Sequence, residues 1–289
     1  NPDIMVLDAD FNTASMLHTF KKHFPDRFIQ VGIAEQNMMS IASGLSTTGY
    51  IPFASTICTF CSRRACDQVA VSIALTRANV KIIGLYPGFL VGTNGASHQS
   101  MEDIAIMRAI PNMTVVHPAD WAEMKDVLRY ASEYKGPMYI RAARDAAPRF
   151  VPEGYEFELG RSVVLREGGD IAVIAYGELL SEVMEAAGIL QGQGVDVRVI
   201  NMSSIKPIDE EAVIKAAEET GRIVTVDNHN IIGGLGSAVC EVVAGHCPVK
   251  VKRLGVRDIP GRSGKNPDMK KYFGLRTEDI AAEIEAMLG

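Results

Sequence analysis

Basic residues, cysteines and long apolar runs are all scarce in this sequence, and each shortage removes a class of function. Lys and Arg number 29 against 35 Asp and Glu, a formal net charge of -6. No basic stripe stands out, so the electrostatic footprint of a nucleic-acid binder is missing. Cysteine occurs five times in 289 residues, at Cys58, Cys61, Cys66, Cys240 and Cys247, too few and too odd for a disulfide framework. Cys58 and Cys61 have C-x-x-C spacing, but a zinc site wants a second pair that neither Cys66 nor the distant Cys247 supplies. The five therefore read as small buried hydrophobes. The best membrane candidate, Val80 to Gly92, is interrupted by Lys81, Gly84, Pro87 and Gly88 and falls short of a spanning helix. No signal-peptide pattern opens the sequence, and cytoplasm is the default expectation.

What is there is a globular composition, 47% apolar and 22% charged, in a length that suits two domains with separate cores. Apolar strand-like runs alternate with helical patterns throughout: Ile4 to Leu7, Phe28 to Val31, Val80 to Leu85, Thr114 to Val116 and Met138 to Arg141, then Ile171 to Ala175, Val195 to Ile200, Ile223 to Val226 and Val249 to Leu254. This predicts an α/β protein of two domains, each a mostly parallel sheet flanked by helices. Asp120 and Glu123 have capping-box spacing before a helix through Tyr130, and Asp209 suits the cap of a helix through Glu219. The pattern weakens between Ala142 and Glu167, which places a linker there and domains at about residues 1–150 and 160–289. Asp227 to Asn230 with Gly233, Gly234 and Gly236 looks like a dinucleotide loop, but G-x-G-x-x-G is not completed. Tight strand-to-helix packing, with His229 structural, is the better reading.

The most informative segment is Phe28-Ile29-Gln30-Val31-Gly32-Ile33-Ala34-Glu35-Gln36-Asn37. An apolar strand turns there into a helix in which Met38, Met39, Ile41, Ala42 and Leu45 recur until Gly49. Glu35 thus sits at the carboxyl edge of a strand, where open parallel sheets bind ligands. Alone, it reads better as an acid favoured by the positive end of a helix dipole, the default for a lone Glu in a first turn. The wider wording decides, because Val-Gly-Ile-Ala-Glu-Gln-Asn followed by Ser40-Ile41-Ala42-Ser43-Gly44-Leu45 resembles the pyrimidine-binding domain of thiamine diphosphate enzymes of the transketolase group, in particular the carboxy-terminal subunit of split transketolases. Further matches follow in order over essentially the whole chain: Gly95-Ala96-Ser97-His98-Gln99, Glu102 to Met113, His117-Pro118-Ala119-Asp120, Tyr139-Ile140-Arg141, and Asn230 to Gly236.

The resemblance implies roles. Glu35 would share a proton with the aminopyrimidine ring of thiamine diphosphate, which demands that it be buried. Phe60 falls on the family's stacking aromatic. Ile57 and Arg63 stand where many or some members carry further aromatics, so the slot they would line is less aromatic than usual. His98 would face the substrate's hydroxyl and carbonyl oxygens. Asp10 matches an acid near the cofactor and the subunit interface, and reads equally as a helix cap before Asn12 to Phe20. Asn94 replaces an Asp that reads sugar stereochemistry, Tyr86 a phosphate-contacting His, and Ala14 a phosphate-binding Ser. Arg144 lines up with a residue gripping the donor's anionic end, with Arg141 and Arg63 as possible helpers.

The Gly-Asp-Gly motif that binds the diphosphate and its divalent ion, Mg2+ or another, is missing. The resemblance therefore implies half an enzyme, completed by an amino-terminal subunit, with two of each in the assembly. The activity implied is transfer of a two-carbon glycolaldehyde unit from an anionic ketose to an aldose. The substitutions in the donor pocket point to a modified, branched or sulfonated sugar. Alternatives in the same group are a 1-deoxyxylulose-5-phosphate synthase-like or a 2-oxo acid dehydrogenase β-like subunit. In another class stands a non-catalytic assembly subunit.

Overall fold

The computed structural model describes residues 1–11 and 15–289. Its amino-terminal part runs β1 (Ile4–Asp8), α1 (His18–His23), β2 (Phe28–Gln30), α2 (Glu35–Thr47), β3 (Ile51–Ile57), β4 (Lys81–Leu85), α3 (Asp103–Ala109), β5 (Thr114–Val116), α4 (Trp121–Glu133) and β6 (Met138–Ala142). The carboxy-terminal part runs β7 (Val163–Arg166), β8 (Ile171–Ala175), α5 (Leu180–Gln191), β9 (Val197–Asn201), β10 (Ser204–Lys206), α6 (Glu210–Thr220), β11 (Arg222–Asn230), α7 (Leu235–His246), β12 (Lys250–Val256), α8 (Asn266–Phe273) and α9 (Thr277–Leu288). Two sheets result, in the orders β10-β5-β6-β4-β3-β1-β2 and β12-β11-β8-β9-β7. Pairing is parallel except for the edge strands β10 on β5 and β7 on β9. Strands such as Ile171–Ala175 are buried along their whole length, as expected where helices cover both faces of a parallel sheet. Among the described residues, no helix is long and apolar enough to cross a membrane.

Strands β3, β7 and β10 lie outside the runs singled out in the sequence. The first is interrupted by Pro52, and the other two are short edge strands whose single-sided burial weakens the apolar signal. The helix expected from Asn12 begins only at His18, and residues 12–14 lie outside the described part. The two domains interlock. β10 comes from the carboxy-terminal half yet pairs with Val115 and Val116, and Lys206 Nζ donates to the carbonyls of Arg108 and Ile110 at 2.8 and 2.7 Å. One apolar core runs from Leu7, Met38 and Ile82 through to Ile174, Tyr176 and Val239.

Local signals hold well. Asp120 Oδ1 accepts from the amides of Ala122 and Glu123, capping α4, while its Oδ2 accepts from Phe150 and Val151 at 2.6 and 3.1 Å and pins the linker. Glu123 reaches back one residue further than a capping box requires, to the Ala119 amide at 2.6 Å. Asp209 caps α6 through the Ala212 amide. His229 is buried and structural, hydrogen-bonded to Ala105 and to the Asn230 carbonyl. A Cβ on Gly236 would come within 2.7 Å of Arg253 and Thr225, the close strand-to-helix packing expected of the glycine run.

Candidate functional site

The parallel strands β2, β1, β3, β4 and β6 lie within one sheet and point the same way. The residues just past their carboxyl ends therefore gather on one edge. Glu35 follows β2, Asp10 follows β1, Phe60 follows β3, Tyr86 follows β4 and Arg144 follows β6. The chain order reverses between β1 and β3, and such a switch point opens a crevice at the carboxyl ends of the strands.

Glu35 opens α2 and is only 2% exposed, so the burial required of it is met. Both of its oxygens accept from Arg64 Nη1, at 2.9 and 2.8 Å. The same guanidinium lies over the Phe60 ring, with Cζ 4.1 Å from the centroid. On another side, His98 meets Phe60 edge to face, ring centroids 5.3 Å apart, while its Nδ1 pairs with Ser97 Oγ at 2.9 Å. Glu35, Phe60 and His98, expected together from sequence, are thus one cluster. Phe60 and Arg64 bound a π-helical turn, Phe60–Arg64, a wide winding that recurs at functional sites. Ile57, at the end of β3, is 4% exposed.

Arg63 turns elsewhere. Its Nε lies 2.7 Å from Glu102 Oε1 and its Nη2 donates to Thr59 at 3.1 Å, beside an open cleft also lined by Gln99, Asn230 and Pro260. The arginine that reaches Glu35 is the next one along. A second group forms around Tyr86, whose φ of 58° turns the chain sharply after β4. Phe11 packs edge to face on it and the Arg144 guanidinium lies 4.9 Å from its centroid, with Arg144 Nη1 tied to the Val91 carbonyl at 2.8 Å. Asn94 is exposed on the short 3-10 turn Gly92–Asn94. Ala14 lies outside the described residues. Asp10 is exposed with φ 60°, and Leu17, not Asp10, takes the cap position of α1. The buried acid of this loop is Asp8, which accepts from the Phe11 amide and Gln30 Nε2.

Arg141 must be reassigned. It is fully buried and its donors are spent inside the protein, on both oxygens of Asp103, His117 Nδ1, Tyr176 Oη and the Asn228 carbonyl. It has no donor left with which to help grip a substrate anion. Burial works to raise the Asp103 carboxyl, but Arg141 outweighs it and holds the group below its usual range. Because arginine only donates, His117 Nδ1 must carry a lone pair, which places the proton on Nε2, 3.2 Å from Glu178. Burial accordingly depresses the imidazole, and His117 is neutral. Tyr176 donates to Asp227 on the far side of this network, which joins the two domains.

Two of the five cysteines are the buried small side chains expected, while Cys66, Cys240 and Cys247 are only partly buried. Cys58 and Cys61 are buried and unpaired, and burial, with Asp103 nearby, pushes both thiols up and out of the reactive range. Sequence reasoning missed Arg64, Asp8 and the Asp103 network. Arg64 did leave a signal, a second arginine beside Arg63 in the otherwise apolar stretch after β3.

Comparison with known proteins agrees with this arrangement. Residues 1–149 match the transketolase pyrimidine-binding domain and residues 160–280 the transketolase C-terminal domain. The chain is 45% identical over 277 residues to the 6-deoxy-6-sulfo-D-fructose transketolase subunit SqwH of Clostridium sp. (strain MSTE9), covering 96% of this chain and 86% of that one. It is 37% identical to one of the subunits of the apulose-4-phosphate transketolase of Phocaeicola vulgatus, covering 96% and 89%. Among solved structures, a split-gene transketolase described as an inactive beta4 tetramer superposes with a TM-score of 0.93 at 42% identity, covering 100% and 93%. The chain therefore belongs to the transketolase family, as a carboxy-terminal subunit of the split kind.

Proposed function

We propose that this subunit supplies the pyrimidine-binding half of a thiamine diphosphate-dependent transketolase, acting with an amino-terminal subunit in an assembly of two of each. The observation that carries the reading is the meeting of a buried carboxylate, an aromatic face and an imidazole at the crevice edge of a parallel sheet. The site fits an aminopyrimidine, since a planar group that donates hydrogen bonds, the Arg64 guanidinium, already lies between Glu35 and the Phe60 face. It does not fit the diphosphate and its ion. Among the described residues no three His, Cys, Asp or Glu side chains converge as metal ligands, and we assign that part to the amino-terminal subunit. The exposed apolar side chain of Ile33, two residues before Glu35, supports a partner that covers it. The description of the split-gene relative's beta4 tetramer as inactive supports the same need.

When bound, thiamine diphosphate supplies a nucleophilic carbon that accepts and releases a two-carbon unit. Glu35 would hold the aminopyrimidine and keep a proton available to it, and Phe60 would offer its face to the ring. His98, whose Nδ1 is engaged by Ser97, offers Nε2 to the hydroxyl and carbonyl oxygens of the sugar, giving or taking a proton as the carbon–carbon bond changes. Arg144, exposed and steadied by Tyr86 and Val91, grips an anionic donor tail, with Asn94 and Tyr86 shaping the pocket. Two relatives are named for a sulfonated and a phosphorylated sugar, and their shared feature, an anionic ketose donor, is what we extend to this chain.

The test is two-carbon transfer by the co-expressed subunits with thiamine diphosphate and magnesium, using anionic ketose donors. Transfer should need both chains, and Glu35→Gln should lower kcat by about 10²–10⁴-fold without dissociating the complex. Retention of turnover within tenfold in that variant would remove Glu35 from the reaction. An assembly subunit without chemistry would tolerate the change altogether.

A further inference from the structure

Resting on the reading of Glu35 and Phe60 as the aminopyrimidine site, we propose that Arg64 is a side-chain stand-in for that ring, so that the cofactor docks by exchange with a residue of this chain. The guanidinium is planar and rich in donors, as the aminopyrimidine edge is. It takes both oxygens of Glu35 and one face of Phe60, the same two surfaces the ring needs. Neither can serve two occupants at once, because one stacked plane excludes another from the same face. Both side-chain hydrogen bonds that Glu35 accepts among the described residues come from Arg64. The carboxylate would be buried without a counter-ion if Arg64 left and nothing replaced it, a costly arrangement.

Arg64 is built to leave. Its side chain is 44% exposed while that of Glu35 is 2% exposed, so rotation carries the charge into water without dragging the carboxylate after it. It ends the π-helical turn, where the backbone departs from helical geometry at Ala65 with φ -105° and ψ 19°. Arg63 is no substitute, being held by Glu102 and Thr59. Arg64 thus has two effects of opposite sign. It protects the folded site before the cofactor arrives and competes with the cofactor when it does.

Competition from a partly exposed ion pair is modest and salt-sensitive. In the assembled two-subunit complex, thiamine diphosphate titrated with magnesium present and followed by calorimetry should bind Arg64→Gln about two- to fivefold more tightly than wild type at low ionic strength. The ratio between the two proteins should shrink towards one at high salt, where the competing pair is screened. Without added cofactor, Arg64→Gln should melt at a lower temperature than wild type, and its gain in Tm on adding cofactor should be larger. Arg64→Lys, which keeps the charge and loses the plane, should fall between them and serves if the glutamine variant folds poorly. Weaker or unchanged binding in Arg64→Gln and Arg64→Lys, with Glu35→Gln still weakening binding, would overturn the exchange and leave the site reading intact. Unchanged binding in Glu35→Gln would instead sink the site reading, and the exchange with it.

Discussion

Replacing Arg141 with Met asks what the buried network between the domains contributes. The substitution keeps an unbranched apolar stem, shortens the side chain by the guanidinium, and removes the cation that, among the described residues, pairs with Asp103, whose two oxygens receive Arg141 Nε and Nη2 at 2.9 and 3.1 Å. Both residues are fully buried. Breaking such a pair from one side costs about 3–5 kcal/mol, because the remaining buried charge loses its counter-ion and keeps only the Tyr139 hydroxyl, which donates to Oδ2 at 2.6 Å. His117, Tyr176 and the Asn228 carbonyl lose one partner each, but the freed methylene surface packs, so about 4 kcal/mol is the expected sum. For 289 residues the unfolding entropy makes that a fall of about 7 °C in Tm. The double variant Asp103→Leu with Arg141→Met should recover much of the loss, since a hydrophobic replacement of a whole pair is often neutral. Asp103 is held low by Arg141, so its contribution is present at neutral pH and lost as pH falls through the folded value. The gap between wild type and Arg141→Met should therefore narrow in acid. Thermal melts of the three proteins across pH provide the assay. A cost below about 1 kcal/mol for Arg141→Met, or a double variant no better than the single one, would refute the assignment of Arg141 to the core.

His117 gives a separate acid signature. Its folded pKa lies below the unfolded value of about 6.5, so stability is full above that pH and declines as pH falls from there through the folded value. His117→Gln should flatten this leg of the stability curve between about pH 6.5 and 5 in denaturant midpoints, before the carboxylates take part; an unchanged slope would mean the imidazole is not buried neutral. Asp120→Ala removes a helix cap and both linker bonds at once, for a loss of about 2–3 kcal/mol in chemical denaturation and faster proteolysis near Phe150. A loss no larger than an ordinary cap, about 1 kcal/mol, would show that the linker is not held by this carboxylate.

The sheets were legible because their central strands are buried on both faces and so read as unbroken apolar runs, and the caps because Asp120 and Asp209 announce themselves locally. The antiparallel edge strands β7 and β10 were not, since a three-residue strand such as Ser204–Lys206 has no periodicity to detect and its partner is almost ninety positions away, nor was β3, whose run is broken by Pro52. The candidate cluster came from wording around Glu35, Phe60 and His98, in segments that follow strand ends. Arg141 shows the limit of that method. The resemblance suggested a ligand contact, but residues alternate sides along a strand, and burial is decided by what packs above, here Asp103 and Tyr176, which no local pattern encodes. Arg63 and Arg64 differ in the same way, with the π-helical winding deciding which of two neighbours faces the carboxylate.

The strand exchanged between the halves bears on how such a protein can be divided. With Ser204–Lys206 closing the outer edge of the first sheet at β5, a gene truncated after the linker would encode a product with bare amides and carbonyls along that edge, ready to recruit a neighbouring copy. A break of the polypeptide between the two domains would sever the pairing of β10 with β5. The pyrimidine-binding and carboxy-terminal domains are therefore tied by a shared strand, although each has a sheet of its own.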